Sequence, residues 1–328
     1  MRQLDDYPGL VLFFIVSVLG LLLLDLGVFH KKNVRISNRS ALIWSMVWIG
    51  LSMLFSALIY YFSGLEKFSQ FQSAYWIEKM LSVDNLFIFL LIFGYFKLPR
   101  EYEHKALFWG IIGAVVLRAI FIFLGTGLIK VTYLPEMRLF GQLVRINAVL
   151  SIFGIFLMYA GIKSWVNKPD EQKDFGKSAP VLLMHKLFKI SNAYDGDRFF
   201  TIKNGKKYAT RFLLVVAVVE FTDLLFAIDS IPAIFAIAPD DPFILYTSNI
   251  FAILGLRSLY FLLANSMHLF GKLKYGLAII LVFIGIKMII APFHHIQTTH
   301  SLIFLLTVLI GAMVWSLLAK PQAEDSSD

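Results

Sequence analysis

A polytopic α-helical membrane protein is the fold class this chain predicts, and three observations carry it. Of its 328 residues 58% are hydrophobic and only 16% are charged, with a mean hydropathy of +0.73; a soluble domain carries roughly 25% charged residues. Two long runs, Ala41–Ser63 and Ser301–Ala319, contain no charge at all, and each is long enough to cross a hydrocarbon core, which takes about 20 helical residues. Neither run alternates apolar with polar residues, so a membrane β-barrel does not fit.

Taken in order, hydropathy places nine spans at about 9–29, 41–63, 74–96, 106–129, 143–165, 210–238, 243–267, 274–293 and 301–319. The sixth is longer than one crossing needs. One transmembrane domain over 1–320 follows, with a polar tail at 321–328. Lys and Arg in the loops after spans 1, 3, 5 and 7 and in the tail number nineteen, against four on the other side. The positive-inside rule then predicts an external N-terminus and a cytoplasmic C-terminus. The start, "MRQLDDYPGL", is acidic and lacks the marks of a cleavable signal.

The sizeable extramembrane segment is the cytoplasmic loop 166–209. Within it "VLLMHKLFKI" spaces apolar residues as on a helix lying at a lipid surface. "FFTIKNGKKYAT" offers Asn-Gly between two arms, a hairpin signal. The net charge of +8 is distributed as loop charge rather than as a nucleic-acid-binding face, so no nucleic-acid partner is expected. The chain has no cysteine, which removes thiolate metal sites, disulfides and thiol redox chemistry. No nucleophile–base arrangement, phosphate loop or dinucleotide fingerprint is present, so neither enzymatic activity nor a prosthetic group is expected.

The ionisable residues inside the spans form a pattern. Spans 3–5 (about 74–165) carry Glu78 and Asp84, then "LR" at Arg118, then "GIK" at Lys163. Spans 6–8 (about 210–293) carry Asp223 and Asp229, then "LR" at Arg257, then "GIK" at Lys287. The acids are six apart in both groups, and Asn85 or Ser230 follows the second one. Span 3 enters from outside and span 6 from inside, so the two triplets are expected as a 3+3 inverted repeat, the plan of many secondary transporters with a midplane site.

A charge at the bilayer centre costs at least about 2.5–3.5 kcal/mol. Glu78, Asp84, Glu220, Asp223 and Asp229, with Asp25 near the end of span 1, outnumber Arg118 and Arg257 at comparable depth. Internal salt bridges account for part of that set. The surplus, beside Asn85, Ser230, Thr222 and Asn249, makes an oxygen-rich site suited to Mn²⁺, Mg²⁺ or Ca²⁺, or to protons. Asp229 lies half a turn from the face shared by Glu220 and Asp223, so a kink or break at 228–232, caused by Pro232, is expected to re-aim it.

The stretches "EKMLSVDNLFIF", "FFTIKNGKKYAT", "EFTDLLFAIDSIPAIFAI" and "TSNIFAILGLRSLYFLL" resemble the TerC family, and more closely its Alx-like branch, over roughly residues 10–320. The resemblance implies a multi-pass protein of the bacterial inner membrane, a historical link to tellurium resistance, and Mn²⁺ efflux in several members. It implicates Glu78, Asp84 and Asn85 in span 3 and Glu220, Asp223 and Asp229 in span 6, with Asp25 matching more loosely. The expected function is export of a divalent cation, most simply Mn²⁺, with Arg118 and Arg257 balancing the empty site. The rival is a non-transporting membrane scaffold working with secretion or envelope-stress machinery. The expected partners are the ion and the bilayer.

Overall fold

A computed structural model describes residues 9, 11–18, 20, 38–139, 142–166, 176, 178–191, 193–203, 205–265, 273–294 and 296–318. The side chains of Asp84, Leu139, Ile228, Asp229 and Asn265 fall outside the description, as do Asp25 and the tail. Helices dominate, and six of them are long and apolar enough to cross a membrane among the described residues.

Helix α1 (residues 11–18) packs Phe14 against Phe55, Phe243 and Phe251. Helix α2 (Asn38–Tyr95) has 58 residues, a length of about 87 Å if straight, which is far more than a core of about 30 Å holds. It breaks at Gly64, whose φ of 84° and ψ of −179° lie outside the helical region and favour glycine. The residues on either side meet in mirror order: Tyr60 on Phe68, Phe55 on Phe71, and the Gln72 amide donating to Ser56 Oγ at 2.7 Å. The segment is therefore an antiparallel hairpin with arms α2a (38–63) and α2b (65–95). The sequence placed a loop at 64–73; apart from Gly64 itself, those residues are helical. Ser69, Gln70, Gln72 and Ser73 are buried within the bundle, where a helix satisfies its own backbone groups.

Helix α3 (Arg100–Val131) leads into a hairpin of β1 (Met137–Leu139) and β2 (Gln142–Val144). That hairpin takes the first residues assigned to span 5, so α4 starts later (Ala148–Val166). Helix α4 lies on α9 (Leu273–Ile290) with almost no side chain between them. A Cβ on Gly154 would stand 2.9 Å from the Gly285 carbonyl, and one on Gly161 would stand 2.7 Å from that of Ala278. Small residues give this close approach in the absence of a hydrophobic driving force between helices in lipid.

In the loop, α5 (Ala179–Leu187) and the hairpin β3 (Phe200–Lys203)–β4 (Lys206–Ala209) form where the amphipathic and Asn-Gly signals stood. Gly205 supplies the positive φ of the turn, 72°. The loop is docked rather than free: Lys105 pairs with Asp197 at 2.7 Å, and the Tyr194 hydroxyl donates to the Phe96 carbonyl. Thr210 then caps α6 (Arg211–Phe235), accepting from the Leu213 N–H.

The sequence expected a kink or break of α6 at 228–232, and no break occurs there. Its backbone is helical past Pro232 to Phe235. The interruption falls in the next span, expected as one helix over 243–267. There α7 (Pro242–Leu254) and α8 (Leu256–Asn265) meet at a one-residue interruption, Gly255, within a single segment of membrane length. Helix α10 (Thr298–Leu318) closes the bundle against α9 and α2.

Candidate functional site

Four helices, α2b, α3, α6 and α7, meet at a buried polar cluster. Arg118 of α3 is fully buried, with no exposed surface. It reaches that depth because the face of α3 toward α6 is small: a Cβ on Gly110 would meet Val219 at 3.2 Å, and one on Gly125 would meet Phe235 at 2.5 Å. Contacts rise together along both chains (Gly110 on Val219, Arg118 by Asp223, Gly125 on Phe235), so α3 and α6 run parallel.

The Arg118 guanidinium forms an ion pair with Glu78 through Nη1 and donates to Asn249 Oδ1 at 2.7 Å. The Asn249 amide donates in turn to Glu78 Oε2 at 3.1 Å, and the Ser82 hydroxyl donates to Glu78 Oε1 at 3.3 Å. Glu78, Arg118 and Asn249 thus close a triangle through Arg118 Nη1, while Arg118 Nε and Nη2 are buried without a hydrogen bond. Isolated buried charge is prohibitive, and a triangle of this kind is how it is tolerated. Asp223 stands further off, its Oδ1 at 3.7 Å from Arg118 Nη2, and its Oδ2 is buried without a hydrogen bond. The guanidinium therefore spans both acidic helices but holds them unequally.

Two neighbours extend the cluster. Lys79 is buried and donates to the Ala252 carbonyl at 3.1 Å. In an unbroken helix that carbonyl would accept from residue 256; the break at Gly255 exposes the negative end of α7 to the ammonium. A Cβ on Gly255 would lie 2.7 Å from Lys79 Nζ and 3.1 Å from Trp48 Cβ, so a side chain here would displace the ammonium. Glu220 is half-buried with its carboxylate laid against Gly113, where any side chain would collide with it.

Of the residues singled out in the sequence, Glu78, Asp223 and Arg118 come together here, and Glu220 lies on the adjoining turn of α6. Arg257 is buried on α8 and borders a small cavity of about 20 Å³ together with Asp223. Asn85 and Ser230 are buried on α2b and α6, and the Ser230 hydroxyl has no hydrogen bond. Asp84 and Asp229 lie six residues beyond Glu78 and Asp223 on the same helices; their side chains, and all of Asp25, are outside the described residues. Among the described residues no three His, Asp or Glu side chains converge as a metal cage. Sequence reading placed Asn249 in the polar surroundings but missed its central place in the triangle, and it missed Lys79 as a partner of α7. A lone Asn in "SNIFAIL" was the available signal for the first.

Helix pairs buried through glycine, a broken helix and a desolvated charge cluster in the middle of the bundle define a multi-pass integral membrane protein. Residues 63–324 match the integral membrane protein TerC family, and the chain belongs to that family. It is 42% identical over 323 residues to an uncharacterized membrane protein of Myxococcus xanthus, covering 98% of this chain and 95% of that one. Relatives named "Putative membrane-bound redox modulator Alx" are 41% identical in Salmonella typhi (92% of both chains) and 40% identical in Escherichia coli K12 (92% and 93%). No solved structure matches the chain.

Proposed function

We propose that the chain exports a divalent cation, Mn²⁺ foremost, across the bacterial inner membrane through a carboxylate site between α2b and α6. The observation that carries this reading is the single guanidinium of Arg118 shared between Glu78 and Asp223, with Asp223 Oδ2 left unsatisfied. A structural ion pair is satisfied on both sides; here two buried carboxylates divide one cation unequally, and Glu220 stands nearby with no ion pair among the described residues. Excess buried carboxylate of this kind suits a hard divalent ion. Asp84, Asn85 and Asp229 are proposed as further ligands from their register on the same two helices.

The alternating-access plan is supported by an internal symmetry. Aligning the "GIK" motifs makes Gly161 equivalent to Gly285 and Gly154 to Ala278. The observed contacts, Gly154 with Gly285 and Gly161 with Ala278, exchange into each other under that equivalence, as they do at a two-fold interface. The pair α2b–α7 likewise exchanges with α6–α3, and both pairs run parallel. Such an exchange supports the reading of inverted repeats over about 74–165 and 210–293, in what we propose is a nine-span chain with its N-terminus outside and its C-terminus cytoplasmic.

A second reading, a non-transporting scaffold with structural ion pairs, draws on the mutual pairing of Glu78, Arg118 and Asn249. Reconstituted Mn²⁺ flux separates the two. Export predicts flux in wild type and its loss in Asp223→Asn and Asp229→Asn; equal leakage from all three would end the transport reading.

A further inference from the structure

A cavity of about 320 Å³ lies at the opposite end of the bundle from α5 and the β3–β4 hairpin, lined by residues of α2b, α4, α6, α9 and α10 and by Asp241, the N-cap of α7. It is within the size range of small-ligand sites and is built differently from the Arg118 cluster. Three helix N-termini line it. Asn147 caps α4, accepting from the Leu150 N–H at 3.0 Å, and Asp241 caps α7, accepting from the Ile244 N–H at 3.1 Å. Helix α10 has no acidic residue in its first turn, and its first intrahelical bond runs from the Ser301 N–H to Gln297. The preceding N–H groups, by Thr298 on the cavity wall, have no side-chain cap among the described residues, which leaves the positive end of that dipole toward the cavity.

Lys287, in the last turn of α9, is the second element. It lines the same cavity, is only 8% exposed, and makes no hydrogen bond or ion pair among the described residues. The other charges facing the cavity are committed or at its rim. Lys67 pairs with Asp241, and Glu66 accepts from Gln70 at 3.4 Å. Asp240 and Arg145 are exposed and oppose each other at Tyr133, where Arg145 sits 4.8 Å over the ring. The carbonyl ends of α6 and α9 also reach the wall, but their last turns are closed by the Ala238 N–H on Ile234 and the His294 N–H on Ile290. Besides the Glu66 carboxylate, whose charge the Gln70 amide does not cancel, the wall offers one buried ammonium and one helix N-terminus, both positive.

We infer that this cavity binds a small oxyanion, a phosphate group, held between Lys287 and the first turn of α10. A buried ammonium and an open helix N-terminus on the wall of one cavity have the electrostatics of a phosphate site. The inference stands apart from cation export and does not require it. The phosphate is either inorganic or the headgroup of a lipid at this end of the bundle, and the experiment distinguishes the sources.

The full chain in detergent would be titrated calorimetrically with inorganic phosphate, using chloride at equal ionic strength as reference. Saturable phosphate binding is expected, weakened by roughly tenfold or more in Lys287→Met and retained in Lys287→Arg and in the exposed-lysine control Lys163→Met. Because Lys287→Met removes a buried unpaired charge, it should unfold no earlier than wild type in phosphate-free buffer. In wild type, phosphate should also protect Lys287 from amine acylation read by mass spectrometry, a measurement that needs no variant. If the site arrives filled by lipid, phosphorus analysis should find phospholipid retained by wild type and lost from Lys287→Met, which supports the same site with a headgroup ligand. Absence of saturable phosphate binding together with absence of Lys287-dependent phospholipid would overturn the inference, as would equal binding by Lys287→Met.

Discussion

The two groups of spans, residues 65–166 and 211–290, carry the same kinds of charge in the same order and use them differently. In the first, the helix bearing the arginine is one continuous rod, α3, and Arg118 is driven to the centre of the bundle onto Glu78. In the second, the equivalent span is cut at Gly255, and the cut end of α7 receives Lys79 from the first group. The two "GIK" lysines diverge as well: Lys163 is exposed over the Tyr159 ring, whereas Lys287 is buried in the 320 Å³ cavity. One pattern of charges thus serves two environments, because each group borrows partners from the other. The cluster belongs to the interface between the groups rather than to either of them.

The sharpest way to break that comparison is to remove the shared cation. Arg118→Leu leaves Glu78 and Asp223 buried without it and should cost about 3–5 kcal/mol, read as lost folded yield and a lowered Tm. Arg118→Lys keeps the charge but not the fork that reaches Asn249, so it should fall between the two. Next comes Asn249→Leu, which deletes two hydrogen bonds to charged groups on α2b and α3 at about 1.5–3 kcal/mol each before relaxation. If thermal unfolding shows no loss, the triangle is not what joins the groups.

Gly285→Ala tests the crossing of α4 and α9. Its Cβ would stand 2.5 Å from the Gly154 carbonyl, a backbone atom that cannot swing aside, and overpacking should cost about 1–3 kcal/mol. Gly127→Ala, where nothing lies within 4 Å, is the matched control and should stabilise α3 by up to about 1 kcal/mol. The smallest effect is expected at the junction with the cytoplasmic loop. Thr210→Ala removes the α6 cap at about 1 kcal/mol, and limited proteolysis between 191 and 210 should report it as faster cleavage.

Several features were legible from residue order alone. Uncharged runs of membrane length announce helices because lipid leaves a backbone no other partner. Asn-Gly between two arms announces the β3–β4 hairpin because few residues accept positive φ. The spacing of Glu78, Arg118, Asp223 and Arg257 marked the helices that carry the cluster, since a charge in a span must have a use. Boundaries were less legible where tertiary contact overrides composition: the polar stretch after Gly64 is helical because α2a, α7 and α10 shelter it, and 142–144 is a strand because Arg138 and its neighbours pair with it.

The sequence by itself determined the class, the helical segments and which side chains must be compensated, because these follow from the cost of exposing backbone or charge to hydrocarbon. Only the tertiary structure decided who compensates whom. Pairings such as Arg118 with Asn249, Lys79 with the carbonyl of Ala252, and Gly154 with Gly285 join residues 131, 173 and 131 positions apart. Nothing local to any of those stretches specifies its partner; the choice is made when helices approach closely enough for glycine to matter.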